Sequence, residues 1–159
     1  MPRRFWLMKT EPDVFSFDDL MAAPGRTAGW DGVRNFQARN MLRDEMKPGD
    51  RVLIYHSRVP PMAIAGVAEV VKAGHPDPSQ FDEKDAHYDP KSKADAPLWF
   101  QVEVKGVEKL KRPVTLDEMR EVPALRDMAL LKRGQRLSVQ PVSADEFDCV
   151  LKLASRPAK

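Results

Sequence analysis

RVLIYHS, residues 51–57, is a short apolar segment of strand length, and MAIAGVAEVV, residues 62–71, follows it closely with the same β-branched character. Two further segments also have the composition of strands, RFWLM (4–8) and LWFQVEVKGV (98–107). In RLSVQPV (136–142), apolar and polar residues alternate up to a proline, which is typical of an edge strand. The strands are separated by short helices and do not form alternating βαβ units. The pattern therefore predicts an α+β fold with a curved, largely closed sheet.

Helix start signals support this fold class. Three hydroxyl residues each precede an acid by three positions, which is the pattern of a helix cap: Ser16 with Asp19, Thr115 with Glu118, and Ser143 with Glu146. They predict short helices near 16–22, 115–121 and 143–154. A fourth helix is predicted from about Val33 to Met46, where the turn Lys47-Pro48-Gly49-Asp50 ends it.

The composition is that of one globular domain spanning residues 1–159, with 42% hydrophobic and 31% charged residues. No apolar run reaches the roughly 18 residues that a membrane span needs, and the N-terminus lacks a secretory signal. The single cysteine, Cys149, suits a reducing compartment, so a cytoplasmic protein is expected, or a nuclear one if the source is eukaryotic. A net charge of +2 allows nucleic-acid binding without requiring it.

GWDGVRNFQARNML, residues 29–42, places Trp30 in a glycine-flanked turn, where a core tryptophan is unusual. One interpretation is a rigid face on which a flat ligand stacks, with Arg34, Asn35 and Arg39 downstream to meet polar edges or phosphates. The other is a tryptophan packed over the start of the helix. Residue type and position leave the two interpretations even.

Trp99 is a second aromatic residue that the predicted core does not explain. Alternation along LWFQVEV places it on the face of Gln101, Glu103 and Lys105. The pattern favours an aromatic lid over a helix or over the long loop of residues 72–97, with a binding role as the alternative.

Other polar groups lie where pockets often open. Lys9, Thr10 and Glu11 follow the first strand, and Ser57 ends another. His56 and Ser57 are adjacent in a strand and point to opposite faces, which disfavours a base and nucleophile pair. In the long loop, Tyr88 precedes Lys91 and Lys93, and the three could close over a bound nucleotide.

No metal or organic cofactor is expected. The acids and histidines of the long loop have neither helical nor calcium-loop spacing. The chain also has no P-loop and no G-x-G-x-x-G motif.

Eight segments of the sequence, taken in order, resemble one family. They are FWLMKTEP, GWDGVRNFQARNMLRDEMKPGD, YHS, IAGVAEVVK, HPDPSQFD, YDPKS, LWFQVEV and RLSVQPVS. Together they resemble the EVE-domain family of thymocyte nuclear protein 1-like proteins. The resemblance implies a PUA-like pseudo-barrel of about five to six strands surrounded by short helices, related to the YTH domains that recognise methylated adenine in RNA.

The resemblance also implies a site. Trp30 falls where YTH domains place their first cage tryptophan, and Lys9, Thr10 and Glu11 would address the base edge. The remaining implied positions are His56 and Ser57 beside the pocket, Tyr88 and Trp99 on the opposite wall, and Ser138 and Gln140 at the pocket floor or in the strand ladder.

The function expected from these residues is non-enzymatic binding of a modified nucleobase in DNA or RNA by a monomer. Asn35 joins the base-contacting set, and the residues expected to meet the nucleic-acid backbone are Arg34, Arg39, Arg43, Lys91 and Lys93. On this hypothesis, Trp30→Ala abolishes binding and leaves the melting temperature nearly unchanged.

Two alternatives stay open. One is an enzyme acting on a modified nucleoside or RNA base, with Lys9, Glu11 or His56 in acid-base roles. The other is a protein-interaction module anchored by Trp30 and Trp99.

Overall fold

The computed structural model describes residues 3–132 and 137–156. The six strands are β1 (Phe5–Thr10), β2 (Thr27–Gly29), β3 (Arg51–His56), β4 (Ala63–Pro76), β5 (Phe100–Thr115) and β6 (Val139–Val142). They form one mixed sheet in the order β2-β5-β4-β3-β1-β6, in which β1 and β3 are parallel and the other pairs are antiparallel. The predicted α+β class and strand number are confirmed.

The helices are short. They are α1 (Phe17–Ala22), α2 (Phe36–Asn40), α3 (Leu116–Arg120) and α4 (Ala144–Ser155), with a π-helical turn Met41–Glu45 directly after α2. Short 3₁₀ turns lie at Pro24–Arg26, Pro78–Phe81, Pro123–Leu125 and Ala129–Leu131. Within the described part of the chain, no helix is long and apolar enough to cross a membrane.

The three predicted caps are present. Ser16, Thr115 and Ser143 each accept a hydrogen bond from the backbone N–H three residues later, at 3.0, 3.1 and 3.1 Å. These bonds satisfy first-turn N–H groups that would otherwise have no partner. The three helices begin where the hydroxyl–acid pairs predicted.

The fourth predicted helix begins later than expected. Asn35 caps it by accepting from the N–H of Ala38 at 3.0 Å, so α2 starts at Phe36 and not at Val33. The preceding residues are non-helical, and Gly32 has a positive φ of 80°. The segment before α2 is thereby released to form the wall of a cavity.

Several strands also differ from the sequence prediction. The three-residue strand β2 was not predicted, β4 continues to Pro76 beyond the predicted end at residue 71, and β5 begins at Phe100 and extends to Thr115. The predicted start of the last strand, Arg136, lies outside the described residues, and β6 begins at Val139.

Hydrophobic clusters cover both faces of the sheet. Trp6 and Met8 of β1 point into the cluster under α1 and α2, whereas Leu7 points into the cluster under α3 and α4. Trp6, Leu7 and Met8 are all 0% exposed, so both faces of β1 are buried, and its two edges pair with β3 and β6. The parallel pair β1 and β3 ends in register at Thr10 and His56, and polar side chains gather at these carboxyl ends.

Candidate functional site

A cavity of about 670 Å³ opens at the carboxyl ends of β1 and β3. Its lining comes from residues 9–11, 14–15, 28–34, 57–58, His87 and Ser138. The structure thus brings together six of the predicted base-contacting residues: Lys9, Thr10, Glu11, Trp30, Ser57 and Ser138. A volume of this size lies within the range of small-molecule sites.

Trp30 is both a core residue and a wall of the cavity. It is 7% exposed, its backbone N–H donates to Val102 at 2.8 Å, and its ring meets Phe15 edge-on at 6.0 Å. The packing interpretation is confirmed by this burial, and the recognition interpretation stays a prediction that the presence of Trp30 in the cavity lining supports. The expectation that Trp30→Ala leaves stability nearly unchanged does not fit this burial.

The indole N–H of Trp30 differs from those of the other two tryptophans. Trp6 donates to Asp50 at 2.9 Å and Trp99 donates to Asp89 at 2.7 Å. Among the described residues the Trp30 N–H has no acceptor, and no fully buried side-chain nitrogen lacks one. It follows that this N–H is not completely buried.

Backbone bonds fix the residues at the strand ends. Lys9 N–H donates to Ser138 at 2.8 Å, Ser57 N–H donates to Thr10 at 2.9 Å, and the Thr10 hydroxyl donates to the Phe15 carbonyl at 2.6 Å. Partial burial lowers the pKa of Lys9. No carboxylate within the described ranges pairs with its ammonium group, so Lys9 offers a donor to the cavity.

A buried carboxylate holds the loop that carries Trp30. Asp77 is 0% exposed and accepts from Gly32 N–H at 2.8 Å, from Arg34 at 3.0 Å and from the backbone and hydroxyl of Ser79 at 2.8 and 2.6 Å. Burial alone would raise the pKa of Asp77, but these hydrogen bonds outweigh it and lower the pKa. The loop before α2 is therefore fixed by a side chain 45 residues further along the chain.

Arg34 lines the cavity, but its guanidinium is engaged inside the protein. Besides Asp77 it donates to Ser79 at 3.1 Å and to the carbonyl of His87 at 2.7 Å, and it lies 5.3 Å from the ring centre of Trp99. These contacts use its donors to join two loops. The predicted phosphate contact is replaced by a structural role.

Asp31 lines the cavity beside Trp30 and was not among the predicted site residues. Partial burial raises the pKa of its carboxyl, Asp77 and Asp85 raise it further, and His87 and its own backbone N–H oppose them. By residue type and position, Asp31 is predicted only to be a turn residue. Its position next to a glycine-flanked tryptophan was the signal that could have identified it.

The structure does not place Trp99 and Tyr88 in the cavity wall. Trp99 is 6% exposed, stacks on Phe36 with ring centres 4.7 Å apart, and is covered by the long loop through its bond to Asp89. This is the lid arrangement that the strand pattern favoured. Tyr88 is exposed, and the neighbouring His87 lines the cavity in its place.

Three other predicted base-contacting side chains serve the fold. His56 accepts from the N–H of Phe17 at 3.0 Å, and burial lowers its pKa. Asn35 caps α2, and the Gln140 amide donates to Leu137 at 3.0 Å from within β6. These three lie outside the cavity lining.

The predicted backbone-contacting cations other than Arg34 lie away from the lining. Arg39 donates to the carbonyl of Leu98 at 2.8 Å, and Arg43 forms a 2.8 Å ion pair with Asp44. Lys91 and Lys93 are exposed on the long loop. In the described segments, no group of three His, Cys, Asp or Glu side chains is arranged to hold a metal ion.

Comparison with known proteins assigns the family. The EVE domain model matches residues 4–153. Thymocyte nuclear protein 1 of Danio rerio is 46% identical over 93% of this chain and 71% of its own length, and that of Homo sapiens is 43% identical over 95% and 74%. The chain therefore belongs to the EVE-domain family.

Solved structures agree with this assignment. The human THYN1 protein in complex with DNA containing 5-methylcytosine superposes with a TM-score of 0.92 and 42% identity, covering 98% of this chain and 99% of the other. A protein from Pseudomonas syringae superposes with a TM-score of 0.90 and 39% identity, covering 94% and 99%. The predicted family resemblance is confirmed.

Proposed function

We propose that this EVE-domain protein binds a modified nucleobase of the 5-methylcytosine type in DNA, in the cavity beside Trp30. The observation that carries the proposal is the similarity along almost the whole chain to the human THYN1 protein, which was solved with DNA containing 5-methylcytosine. The cavity lining supports the proposal, because Trp30, Lys9 and Asp31 all contribute to it and are an aromatic residue, a cation and a carboxylate.

Each contribution to the binding free energy is small, so several of them must act together. Stacking of a base on an aromatic side chain contributes about 1 to 3 kcal/mol and does not depend on sequence. A methyl group buried in an apolar slot contributes about 0.8 kcal/mol. If the base lies in a duplex, turning it out of the stack costs a few kcal/mol, which phosphate contacts must offset.

Phosphate contacts are proposed from cations around the cavity. Arg58 lines the cavity with its side chain 82% exposed and forms an ion pair with Glu11 at 3.0 Å. Lys91 and Lys93 remain proposed contacts because they are exposed, and Arg39 and Arg43 require the strand to continue along α2. Binding is therefore expected to weaken as salt concentration rises.

The test is fluorescence anisotropy with labelled oligonucleotides that carry one 5-methylcytosine or one cytosine. Single-stranded DNA, duplex DNA and RNA of the same sequence are compared to determine which type of nucleic acid the protein binds. Trp30→Phe keeps an aromatic ring but shortens the wall and removes the N–H, so a loss of affinity for 5-methylcytosine DNA of about tenfold is expected.

Trp99→Phe is the matched control. It also changes one buried tryptophan, but at a position that packs against Phe36 outside the cavity. We expect its affinity to stay within about twofold of the unaltered protein. Equal binding of cytosine and 5-methylcytosine, or full affinity in a folded Trp30→Phe protein, would refute the proposal.

A further inference from the structure

Two oppositely charged side chains line the cavity without pairing with each other. Lys9 comes from the end of β1 and Asp31 comes from the loop before α2. In the part of the chain that the structure describes, neither side chain makes an ion pair, and the backbone N–H of Asp31 donates to the Gly29 carbonyl at 3.1 Å. A ligand between these residues meets a cation on one side and an anion on the other.

The other charged groups of the cavity are already paired. Glu11 is paired with Arg58 at 3.0 Å, and Arg34 is held by Asp77 at 3.0 Å. The His87 ring lies 3.3 Å from Asp85. Asp31 is thus the carboxylate of the cavity lining that is left to accept a hydrogen bond from a bound molecule.

We infer that Asp31 determines which base is accepted, by receiving a hydrogen bond from the exocyclic amino group of a 5-substituted cytosine. The inference rests on the proposed function. Lys9 donates to a ring carbonyl oxygen at the other side of the cavity, and Trp30 supplies the stacking face.

The chemistry of two bases shows what this arrangement selects. 5-Methylcytosine and thymine share the ring, the 5-methyl group and the carbonyl oxygen at position 2. They differ at position 4, where cytosine has an amino donor and thymine has a carbonyl acceptor, and at position 3, where cytosine has an acceptor nitrogen and thymine has an N–H donor. A carboxylate facing position 4 accepts a hydrogen bond from the first, whereas it meets a carbonyl oxygen in the second, and two acceptors that face each other form no hydrogen bond and repel.

The experiment compares DNA containing 5-methylcytosine with otherwise identical DNA containing thymine, by anisotropy, for the unaltered protein and for Asp31→Asn. The unaltered protein should prefer 5-methylcytosine by at least about tenfold, the discrimination expected when a binding group is left without its partner. Asp31→Asn is nearly isosteric and presents either an oxygen or an amide N–H. The preference should therefore fall to about twofold or less.

Two further variants separate specificity from general damage. Lys9→Met removes a donor to an oxygen that both bases carry, so both affinities should fall while their ratio stays constant. Asp13→Asn changes an exposed acid near the cavity that does not line it, and neither affinity nor ratio should change. Circular dichroism melts establish that each variant is folded.

The outcomes are distinguishable. An Asp31→Asn protein that keeps the full preference for 5-methylcytosine over thymine overturns the inference and leaves the proposed function intact, provided that Trp30→Phe still weakens binding. Equal binding of the two bases by the unaltered protein overturns the inference as well. If neither base binds in a way that depends on Trp30, the proposed function itself fails.

Discussion

Asp77→Ala is expected to destabilise the whole domain, although Asp77 lies in a loop. The carboxylate is 0% exposed and accepts four hydrogen bonds, from Gly32, from Arg34 and twice from Ser79. Removing it leaves the Arg34 cation, whose side chain is 22% exposed, without its counter-charge, and the Gly32 N–H without an acceptor. The loss of one partner of a largely buried ion pair typically costs about 3 to 5 kcal/mol.

That cost is a large fraction of the total stability of an ordinary domain, which is about 5 to 15 kcal/mol. For a chain of about this length it corresponds to a fall in melting temperature of roughly 6 to 20 °C. Urea unfolding followed by tryptophan fluorescence measures the free energy directly. Asp95→Ala is the control, because Asp95 is exposed and has no hydrogen bond or ion pair with any described residue.

The same carboxylate predicts that the free energy of unfolding falls at low pH. The pKa of Asp77 is lower in the folded protein than its ordinary value of 3.8, so the folded state binds the proton less readily than the unfolded chain. Its contribution is complete above about pH 3.8 and is lost as the pH falls through the folded pKa. In Asp77→Asn, the free energy of unfolding should depend less on pH in this range. A free energy of unfolding for Asp77→Ala within about 1 kcal/mol of that for Asp95→Ala would refute the reasoning.

Two other predictions concern the loop before α2 and the end of β3. Gly32→Ala should lower the free energy of unfolding by about 1 to 2 kcal/mol and weaken binding of 5-methylcytosine DNA, because φ is +80° and a Cβ would lie 2.7 Å from the His87 ring. Gly49→Ala is the control, because φ is +97° and a Cβ there would meet open space. It should cost similar stability in urea unfolding and leave binding unchanged in anisotropy. Stability should fall as the pH drops below about 6.5, because burial lowers the pKa of His56 and the unfolded chain takes up that proton first. His56→Gln should reduce this fall, and an unchanged pH profile in urea unfolding would contradict it.

The parts of the fold that the sequence predicted are those with local causes. Strand segments such as residues 51–57 carry β-branched side chains at strand length, and each hydroxyl–acid pair at a helix start closes a bond within three residues. The missed strand β2 has no such local cause: three residues pair with the edge of β5, and pairing with a distant strand is invisible in a short segment. The late start of α2 is similar, because Asp77 fixes the preceding loop from 45 residues away.

The residues of the candidate site show the same difference between local and distant causes. Lys9 and Ser57 line the cavity because the parallel strands β1 and β3 end side by side. A prediction of where these strands end therefore also predicts which polar residues lie at the sheet edge. Trp99 lies elsewhere because Gln80, 0% exposed, accepts from the Trp99 N–H at 3.0 Å and donates to its carbonyl at 2.8 Å. Alternation along a strand gives the face of a residue. It does not give the course of the loop that covers that face.

The cavity combines a rigid wall with charges that the fold does not use. Trp30 is packed in the core, so in the proposed complex its ring needs little reordering and less conformational entropy is lost on binding. Asp77 fixes the loop that joins Trp30 to α2, and that loop also carries Asp31. Stacking and edge recognition are thus set by one loop. A change that loosens this loop should reduce affinity and base preference together, whereas Asp31→Asn should change the preference without loosening the loop.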